Sequence, residues 1–233
     1  LALGPGGEQS SPALVEDVVV FGAFDDQVYA VERSSGSVRW THSTRGGILS
    51  SPLVSDGVVV IGSISGDVHG LSLTDGTPRW TVRTEAPVYA SAARFGAQAL
   101  IGSDDGRLRA IDLQRGAVTW STEVGAKIFS TPAVVGEVAV FGSDAGLHCV
   151  EAATGEVRWS VELGGRILAS PAVFEGLAYV GSSDGALYAV SVDDGAVRWR
   201  HAASDKVWSS ATLAAGHLVF GSHDGHVYAL RPA

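Results

Sequence analysis

The side chains best suited to binding a ligand recur about every 40 residues in this sequence. One series reads Gly7, Gly47, Pro87, Lys127, Arg166 and Lys206, and the position two residues later reads Gln9, Leu49, Tyr89, Phe129, Leu168 and Trp208. Cations beside aromatic rings at a concave surface can hold a planar or anionic ligand. The candidate ligand-binding residues are therefore Tyr89, Lys127, Phe129, Arg166, Lys206 and Trp208. The alternative is that the rings pack between repeats and the cations balance acidic neighbours.

Residues that could act as nucleophiles form weaker patterns. Cys149 is the single cysteine, and the equivalent positions of the other repeats hold small residues: Ala30, Gly70, Ala110, Ala189 and Ala229. A buried cysteine behaves as a small hydrophobic residue, so we expect an unreactive thiol. His69 and His148 share a position with Tyr29, Tyr188 and Tyr228, which favours packing roles. Because no Ser-His-Asp, Cys-His or phosphate-binding glycine pattern is present, we predict no catalytic residue.

Metal binding is not predicted either. His223 and His226 flank an Asp-Gly turn, but His217, the nearest third histidine, lies at the far end of the preceding strand. Zinc sites in proteins use three or four ligands. Acidic residues recur at the predicted hairpins, where turn chemistry accounts for them; the alternatives are a bound cation and a negative rim. These residues are Asp25, Asp26, Asp104, Asp105, Asp144, Asp184 and Asp224.

The composition limits the classes of partner. The chain has 233 residues, with 25 Asp and Glu against 16 Lys and Arg, a net charge of -9. This balance opposes binding to nucleic-acid phosphates or anionic lipid. No run of 18 apolar residues predicts a transmembrane helix, so we expect no direct membrane insertion. No signal peptide is visible at Leu1 and methionine is absent, which suggests a segment of a longer natural chain.

Three landmarks repeat in one register along the whole chain. A glycine ends an apolar run at Gly22, Gly62, Gly102, Gly142, Gly181 and Gly221, with spacings of 40, 40, 40, 39 and 40. A tryptophan follows at Trp40, Trp80, Trp120, Trp159 and Trp199. A Ser or Thr before Pro or Ala opens each unit, as in Ser51-Pro52. The 39-residue spacing is explained by a hairpin after Gly142 that is one residue shorter than its equivalents.

Each unit contains four short stretches typical of β-strands. Apolar β-branched runs such as Val58–Ile61 suit strands buried on both faces, and Asp-Gly pairs favour the hairpin turns that follow. A period near 40 residues with four strands indicates a β-propeller blade. The sequence therefore predicts an all-β, six-bladed β-propeller of four-stranded antiparallel blades, forming a single domain over residues 1–233. We expect Leu1–Leu3 to pair beside Val227–Leu230, so that the N- and C-terminal strands close the ring.

The units resemble the PQQ-type, or quinoprotein-like, propeller repeat over essentially the whole chain. The resemblance is carried by stretches such as Ser170-Pro171, Gly181–Val190 and Thr154–Trp159. Families with this repeat include quinoprotein dehydrogenases, the periplasmic lipoprotein of outer-membrane protein assembly, and sensor domains of bacterial Ser/Thr kinases. The resemblance implies an extracytoplasmic location and a structural role for the five tryptophans, which would dock between neighbouring blades. This sequence differs from the quinoprotein enzymes in two respects. The enzymes resemble eight-bladed rings and often carry an adjacent pair of cysteines, whereas this chain has six units and one cysteine.

The first functional hypothesis is a non-catalytic, monomeric binding or scaffolding propeller that engages a small molecule or peptide at the channel mouth. It would be a sensor domain of a larger bacterial protein, such as a Ser/Thr kinase, and would need no cofactor. One alternative is a platform for protein–protein assembly, and another is a PQQ-binding oxidoreductase. An engineered propeller without a ligand is a fourth hypothesis. A fold supports many functions, so the candidate site must decide among them.

Overall fold

The computed structural model describes residues 10–231, which form β-strands, turns and loops without a helix. Cα packing divides the chain into two compact units, Leu1–Ser121 and Thr122–Ala233. Every sheet is antiparallel, and its strands follow one another in chain order. This is the all-β pattern that the sequence predicts. The predicted pairing of residues 1–3 with the last strand lies outside the described residues.

The first unit contains three four-stranded sheets. The first sheet consists of β1 (Ala13–Val15), β2 (Val18–Gly22), β3 (Gln27–Glu32) and β4 (Val38–Ser43). The second sheet consists of β5 (Leu53–Ser55), β6 (Val58–Gly62), β7 (Asp67–Ser72) and β8 (Pro78–Arg83). The third sheet consists of β9 (Ala93–Phe95), β10 (Gln98–Gly102), β11 (Arg107–Asp112) and β12 (Val118–Glu123). The last two residues of β12 belong to the second unit.

The second unit contains two four-stranded sheets and one of three strands. The fourth sheet consists of β13 (Ala133–Val135), β14 (Val138–Ser143), β15 (Gly146–Glu151) and β16 (Val157–Val161). The fifth sheet consists of β17 (Ala172–Phe174), β18 (Leu177–Gly181), β19 (Ala186–Ser191) and β20 (Val197–Ala202). The sixth sheet consists of β21 (Thr212–Ala214), β22 (His217–Gly221) and β23 (Val227–Leu230). The hairpin between β14 and β15 has the predicted shorter loop, since Ser143 pairs with Gly146.

The middle strands form the cores of the sheets. All five residues of β6 are buried, and β14 is buried along its whole length. Fourth strands alternate instead, and β4 buries Trp40 between exposed neighbours. Strands covered on both faces need continuous apolar residues, whereas strands covered on one face need alternation. Apolar clusters therefore join adjacent sheets, as where Val20 and Val28 pack with Ile48 and Ile61.

Tryptophans link adjacent sheets through their ring nitrogens. The indole N–H of Trp40 donates to the carbonyl oxygen of Leu73 at 2.9 Å, and that of Trp80 donates to Leu113 at 2.8 Å. In the second unit the N–H of Trp159 donates to the Val192 carbonyl oxygen at 2.8 Å. In each case the acceptor lies 33 residues further along, in the next sheet. Each ring thus combines apolar burial with a satisfied polar atom.

Serine side chains link the first strands. The backbone N–H of Ser11 donates to Ser51 Oγ at 2.9 Å, and the N–H of Ser51 donates to Ser91 Oγ at 2.7 Å. The second unit repeats this link from Thr131 to Ser170 and from Ser170 to Ser210, both at 2.9 Å. These bonds satisfy backbone donors that have no partner within their own sheet. They explain why a hydroxyl side chain opens each repeat.

Candidate functional site

The candidate binding residues occupy equivalent backbone positions. The backbone N–H of Asp144 donates to the carbonyl oxygen of Lys127 at 3.0 Å. The same bond runs from Ser183 to Arg166 at 3.0 Å and from His223 to Lys206 at 2.9 Å. Each bond fixes the loop before a first strand to the hairpin between the second and third strands of that sheet. We call this side of each sheet its hairpin edge, defined by the loop positions Gly47, Pro87, Lys127, Arg166 and Lys206 with these hairpins.

Cations and aromatic rings pair at the hairpin edge of the second unit. The Arg166 guanidinium carbon lies 5.7 Å from the centroid of the Phe129 ring. The Lys206 ammonium lies 5.0 Å from the centroid of the Trp208 ring, which is 39% exposed and contacts His223. Such contacts are within the range of cation–π attraction. The cation–aromatic pattern of the sequence is therefore present as physical contacts.

One of these cations already has an acidic partner. Arg166 Nε donates to Asp144 Oδ1 at 2.6 Å, which joins the fifth sheet to the hairpin of the fourth. Both side chains are partly exposed, so the pair contributes little to folding stability. It also partly neutralises the site, as the alternative interpretation of the sequence requires. Any anion bound here must therefore compete with Asp144 for the Arg166 guanidinium.

The hairpin edge of the first unit has a different character. Tyr89 lies there with Gly47 and Pro87, so the structure places five of the six candidate residues in the second unit and Tyr89 in the first. Phe24, 42% exposed, and Ile64 occupy the hairpin position that Asp144 holds in the fourth sheet. Phe24 is not among the residues predicted from the sequence, because the prediction rested on the acidic residues of the hairpins. Alignment of all six hairpins would have identified it.

The acidic hairpin residues mainly stabilise their own sheets. Asp224 accepts the Tyr228 hydroxyl at 2.7 Å and the backbone N–H of His226 at 3.0 Å. The Tyr228 hydrogen bond holds the pKa of Asp224 well below its usual range. The same side-chain contact recurs from Tyr29 to Asp25, from Arg109 to Asp105 and from Tyr188 to Asp184. Turn chemistry and these contacts account for the acidic residues without a bound cation.

Cys149 and His148 lie in the buried strand β15. Burial raises the pKa of the Cys149 thiol to about 11, which keeps it in the unreactive protonated form. His148 Nε2 lies 2.8 Å from Ser143 Oγ, and its Nδ1 lies 2.9 Å from Ser160 Oγ. Burial also lowers the pKa of His148 to about 4. Both residues have the packing roles expected from their repeat positions.

The cysteine pattern of this chain differs from that of the quinoprotein enzymes which the repeat resembles. The quinoprotein enzymes that the repeat resembles often use adjacent cysteines, whereas this chain has one cysteine and it is buried. Across residues 10–231, no group of three or more His, Cys, Asp or Glu side chains is arranged to hold a metal ion. In the same part of the chain, no helix is long and apolar enough to cross a membrane.

Comparisons with known proteins agree with this architecture. The family model described as outer membrane protein assembly factor BamB matches residues 2–141 and 126–233. The chain belongs to this family. BamB from Moraxella catarrhalis has a similar fold, with a TM-score of 0.68 and 21% identity over 94% of this chain and 84% of that chain. A crystal structure of the computationally designed protein Ika8 gives a TM-score of 0.84 and 18% identity over 96% of this chain and 70% of that chain.

No curated protein matches the chain in sequence. At these identities, the two solved structures show the fold alone. Together with the family match, they identify a BamB-like propeller built from PQQ-type repeats, as the sequence predicts. The fold is compatible with a protein-interaction scaffold. The function must be argued from the hairpin edge itself.

Proposed function

We propose that this chain is a non-catalytic scaffold that binds an acidic peptide segment of a protein partner at the hairpin edge of residues 122–233. The observation that carries this proposal is the exposed Trp208 ring beneath the Lys206 ammonium, 5.0 Å away. Lys127 and Arg166 occupy the same backbone position in the two preceding sheets. An exposed aromatic ring with surrounding cations is a common anchor for peptide recognition.

Four further features support a non-catalytic binding role. The net charge of -9 makes a local group of cations selective, because other surfaces of the chain repel an acidic ligand. The buried Cys149 and the fully hydrogen-bonded His148 are not placed for reaction with a ligand. A single exposed tryptophan with a few cations also suits reversible binding more than a permanent interface. The family's BamB members are described as assembly factors, in agreement with a protein partner.

Peptide titration tests this proposal. A fluorescently labelled peptide of alternating Asp, Glu and Gly with one Tyr should bind the full chain with a Kd that rises steeply with salt. Replacing Lys127 and Lys206 with Ala should weaken binding at least tenfold. The charge-matched control, Arg158→Ala with Arg198→Ala, removes two cations from exposed fourth strands and should leave the Kd unchanged. Equal losses in the two double variants would show that only net charge matters and would contradict the proposed site.

We also propose the finer architecture: six blades in one domain, closed by residues 1–3 beside β23. Support comes from the sixth sheet, whose last described strand, β23, has no fourth strand beside it within residues 10–231. In the fifth sheet, Trp199 Nε1 is buried and has no hydrogen-bond partner among residues 10–231. The 33-residue register of the other tryptophans places its acceptor at position 232, outside the described residues. An unpaired strand edge is a liability that a closing strand removes.

The sensor-domain role, the bacterial kinase context, the monomeric state and the extracytoplasmic location stay predictions from the family resemblance. The hairpin edge is compatible with a sensor, because a bound peptide or small anion would contact loops from three successive sheets. A PQQ-dependent oxidoreductase is the less favoured alternative, since the cysteine pattern does not fit the enzymes.

A further inference from the structure

One third-strand position differs from its equivalents in the other sheets. Its residue contacts the preceding hairpin of the same sheet, as Tyr29 contacts Asp25 and Arg109 contacts Asp105. In the second sheet this residue is His69, and the hairpin Asp is replaced by Ser65. Ser65 Oγ instead contacts Ser63 Oγ at 2.9 Å and donates to the Thr44 carbonyl oxygen at 3.2 Å. His69 therefore lacks the hairpin partner that its equivalents have.

His69 is deeply buried with an unsatisfied ring nitrogen. The residue is 7% exposed, and its Nε2 has no hydrogen-bond partner among the described residues 10–231. His148 occupies the equivalent position in the fourth sheet and contacts a serine hydroxyl through each nitrogen. Leaving a buried polar atom unpaired destabilises the folded state. Such an atom in a native structure requires an explanation.

A second histidine faces His69 from the neighbouring sheet. His42 in β4 lies with its ring centroid 5.4 Å from that of His69, at an interplanar angle of 64°. Its Nε2 is also buried, and the described part of the chain offers it no hydrogen-bond partner. In the second unit the equivalent residue, His201, packs edge-on against the ring of Tyr228 instead. The first unit thus places two histidine rings in contact, each with an unsatisfied nitrogen, where the second unit has a histidine–tyrosine contact.

A polar cavity of about 240 Å³ adjoins the two rings. Its lining consists of His42, Ser43, Arg45, Asp67, His69 and Thr81. Asp67 precedes His69 by two residues in β7, so both side chains lie on one face of the strand. A cavity of this size and polarity admits water or a hydrated ion. The cavity therefore brings together two imidazoles, the Asp67 carboxylate and the Arg45 guanidinium, whose opposite charges offset each other.

We propose that His42 and His69 bind one divalent transition-metal ion, of the Zn²⁺ or Cu²⁺ class, through their unpaired Nε2 atoms. Two imidazoles on a tetrahedral ion, with metal–nitrogen distances of about 2.0–2.1 Å, place their ring centroids about 5 Å apart. The observed separation is 5.4 Å. Imidazole nitrogen suits zinc and copper, whereas calcium and magnesium take oxygen ligands. Burial favours neutral imidazole, so each ring can offer a lone pair to a cation.

The coordination is completed by water rather than by a third protein ligand. No set of three His, Cys, Asp or Glu side chains converges on one point within residues 10–231. Asp67 therefore acts from the cavity wall, through water or as a balancing charge for the ion. A two-imidazole site of this kind binds more weakly than a closed structural zinc site. We expect a stoichiometry of one ion per chain and a Kd in the micromolar range.

Metal titration of the chelator-treated full chain tests this inference. Adding Zn²⁺ at about 100 times its Kd should raise the melting temperature by several degrees, because an ion that binds only the folded state stabilises it. His42→Gln and His69→Gln should each abolish the shift. His148→Gln, a buried control with both nitrogens satisfied, should retain it. No shift at millimolar Zn²⁺ or Cu²⁺ would overturn the inference.

Two further measurements keep the result interpretable. The exposed double variant His223→Gln with His226→Gln should bind as the native chain does; loss of binding in this variant would place the ion elsewhere and overturn the inference. If His69→Gln fails to fold, electron paramagnetic resonance of Cu²⁺ on the native chain decides the question. The spectrum should show two coordinated imidazole nitrogens, and a spectrum that shows one or none would overturn the inference. Neither readout depends on the proposed peptide-binding function.

Discussion

Single tryptophans make contacts that reach beyond their own sheet. Trp80 is 9% exposed and donates to the Leu113 carbonyl oxygen, while its ring packs on Gly116. Removing a buried aromatic ring loses transfer energy and leaves a cavity. We expect Trp80→Ala to lower the free energy of unfolding by about 3–5 kcal/mol in urea denaturation. The exposed Trp208→Ala is the matched control and should cost under about 1 kcal/mol; equal losses would contradict the docking role of Trp80.

His148 makes stability depend on pH. Its pKa is near 6.5 in the unfolded chain and about 4 in the folded chain, because burial disfavours the charged ring. Between these values the unfolded state binds more protons, so stability is complete above pH 6.5 and falls as the pH drops towards 4. Over this pH range, His148 lowers the free energy of unfolding by about 3 kcal/mol. Urea unfolding at several pH values should show that the free energy of unfolding depends less on pH in His148→Gln than in the native chain or in His223→Gln.

In several sheets, a serine hydroxyl group attaches the loop before the first strand to the end of the second strand. Ser50 is fully buried. Its Oγ donates to the Gly62 carbonyl oxygen at 2.8 Å and accepts the Gly62 N–H at 2.9 Å. Ser209 makes the equivalent bonds to Gly221 at an exposed position. We expect Ser50→Ala to cost about 1–3 kcal/mol in unfolding free energy, because two buried backbone groups lose their partner. Ser209→Ala should cost less, since water replaces the hydroxyl; a larger loss at Ser209 would contradict this account.

Some of these elements could be predicted from the sequence and others could not. The strand boundaries near Gly22 and Trp40 follow local patterns of alternation and turn residues, which need no knowledge of the rest of the fold. The Arg166–Asp144 pair joins different sheets, so repeat alignment alone did not indicate it. The His42–His69 contact was missed for the same reason. Its signal was the Ser65 substitution at a hairpin position where most repeats carry Asp.

For the whole molecule, the proposed closure of six blades makes a prediction about the chain ends. Deleting residues 1–9, which leaves the buried Ser10–Gly22 hydrogen bonds in place, should lower the melting temperature by at least several degrees, because β23 would lose its closing strand and remain an exposed edge. A control with Ser35→Gly, in an exposed turn, should melt as the native chain does. An unchanged melting temperature after the deletion would contradict closure by residues 1–3.

Binding of an acidic peptide at the hairpin edge of the second unit can be mapped by hydrogen–deuterium exchange, with and without a saturating Asp- and Glu-rich peptide. Binding should slow exchange in the loops that carry Lys127, Arg166 and Lys206 and leave the exposed fourth strands β16 and β20 unchanged. Protection confined to the fourth strands, or no protection anywhere at saturating peptide, would contradict the proposed binding.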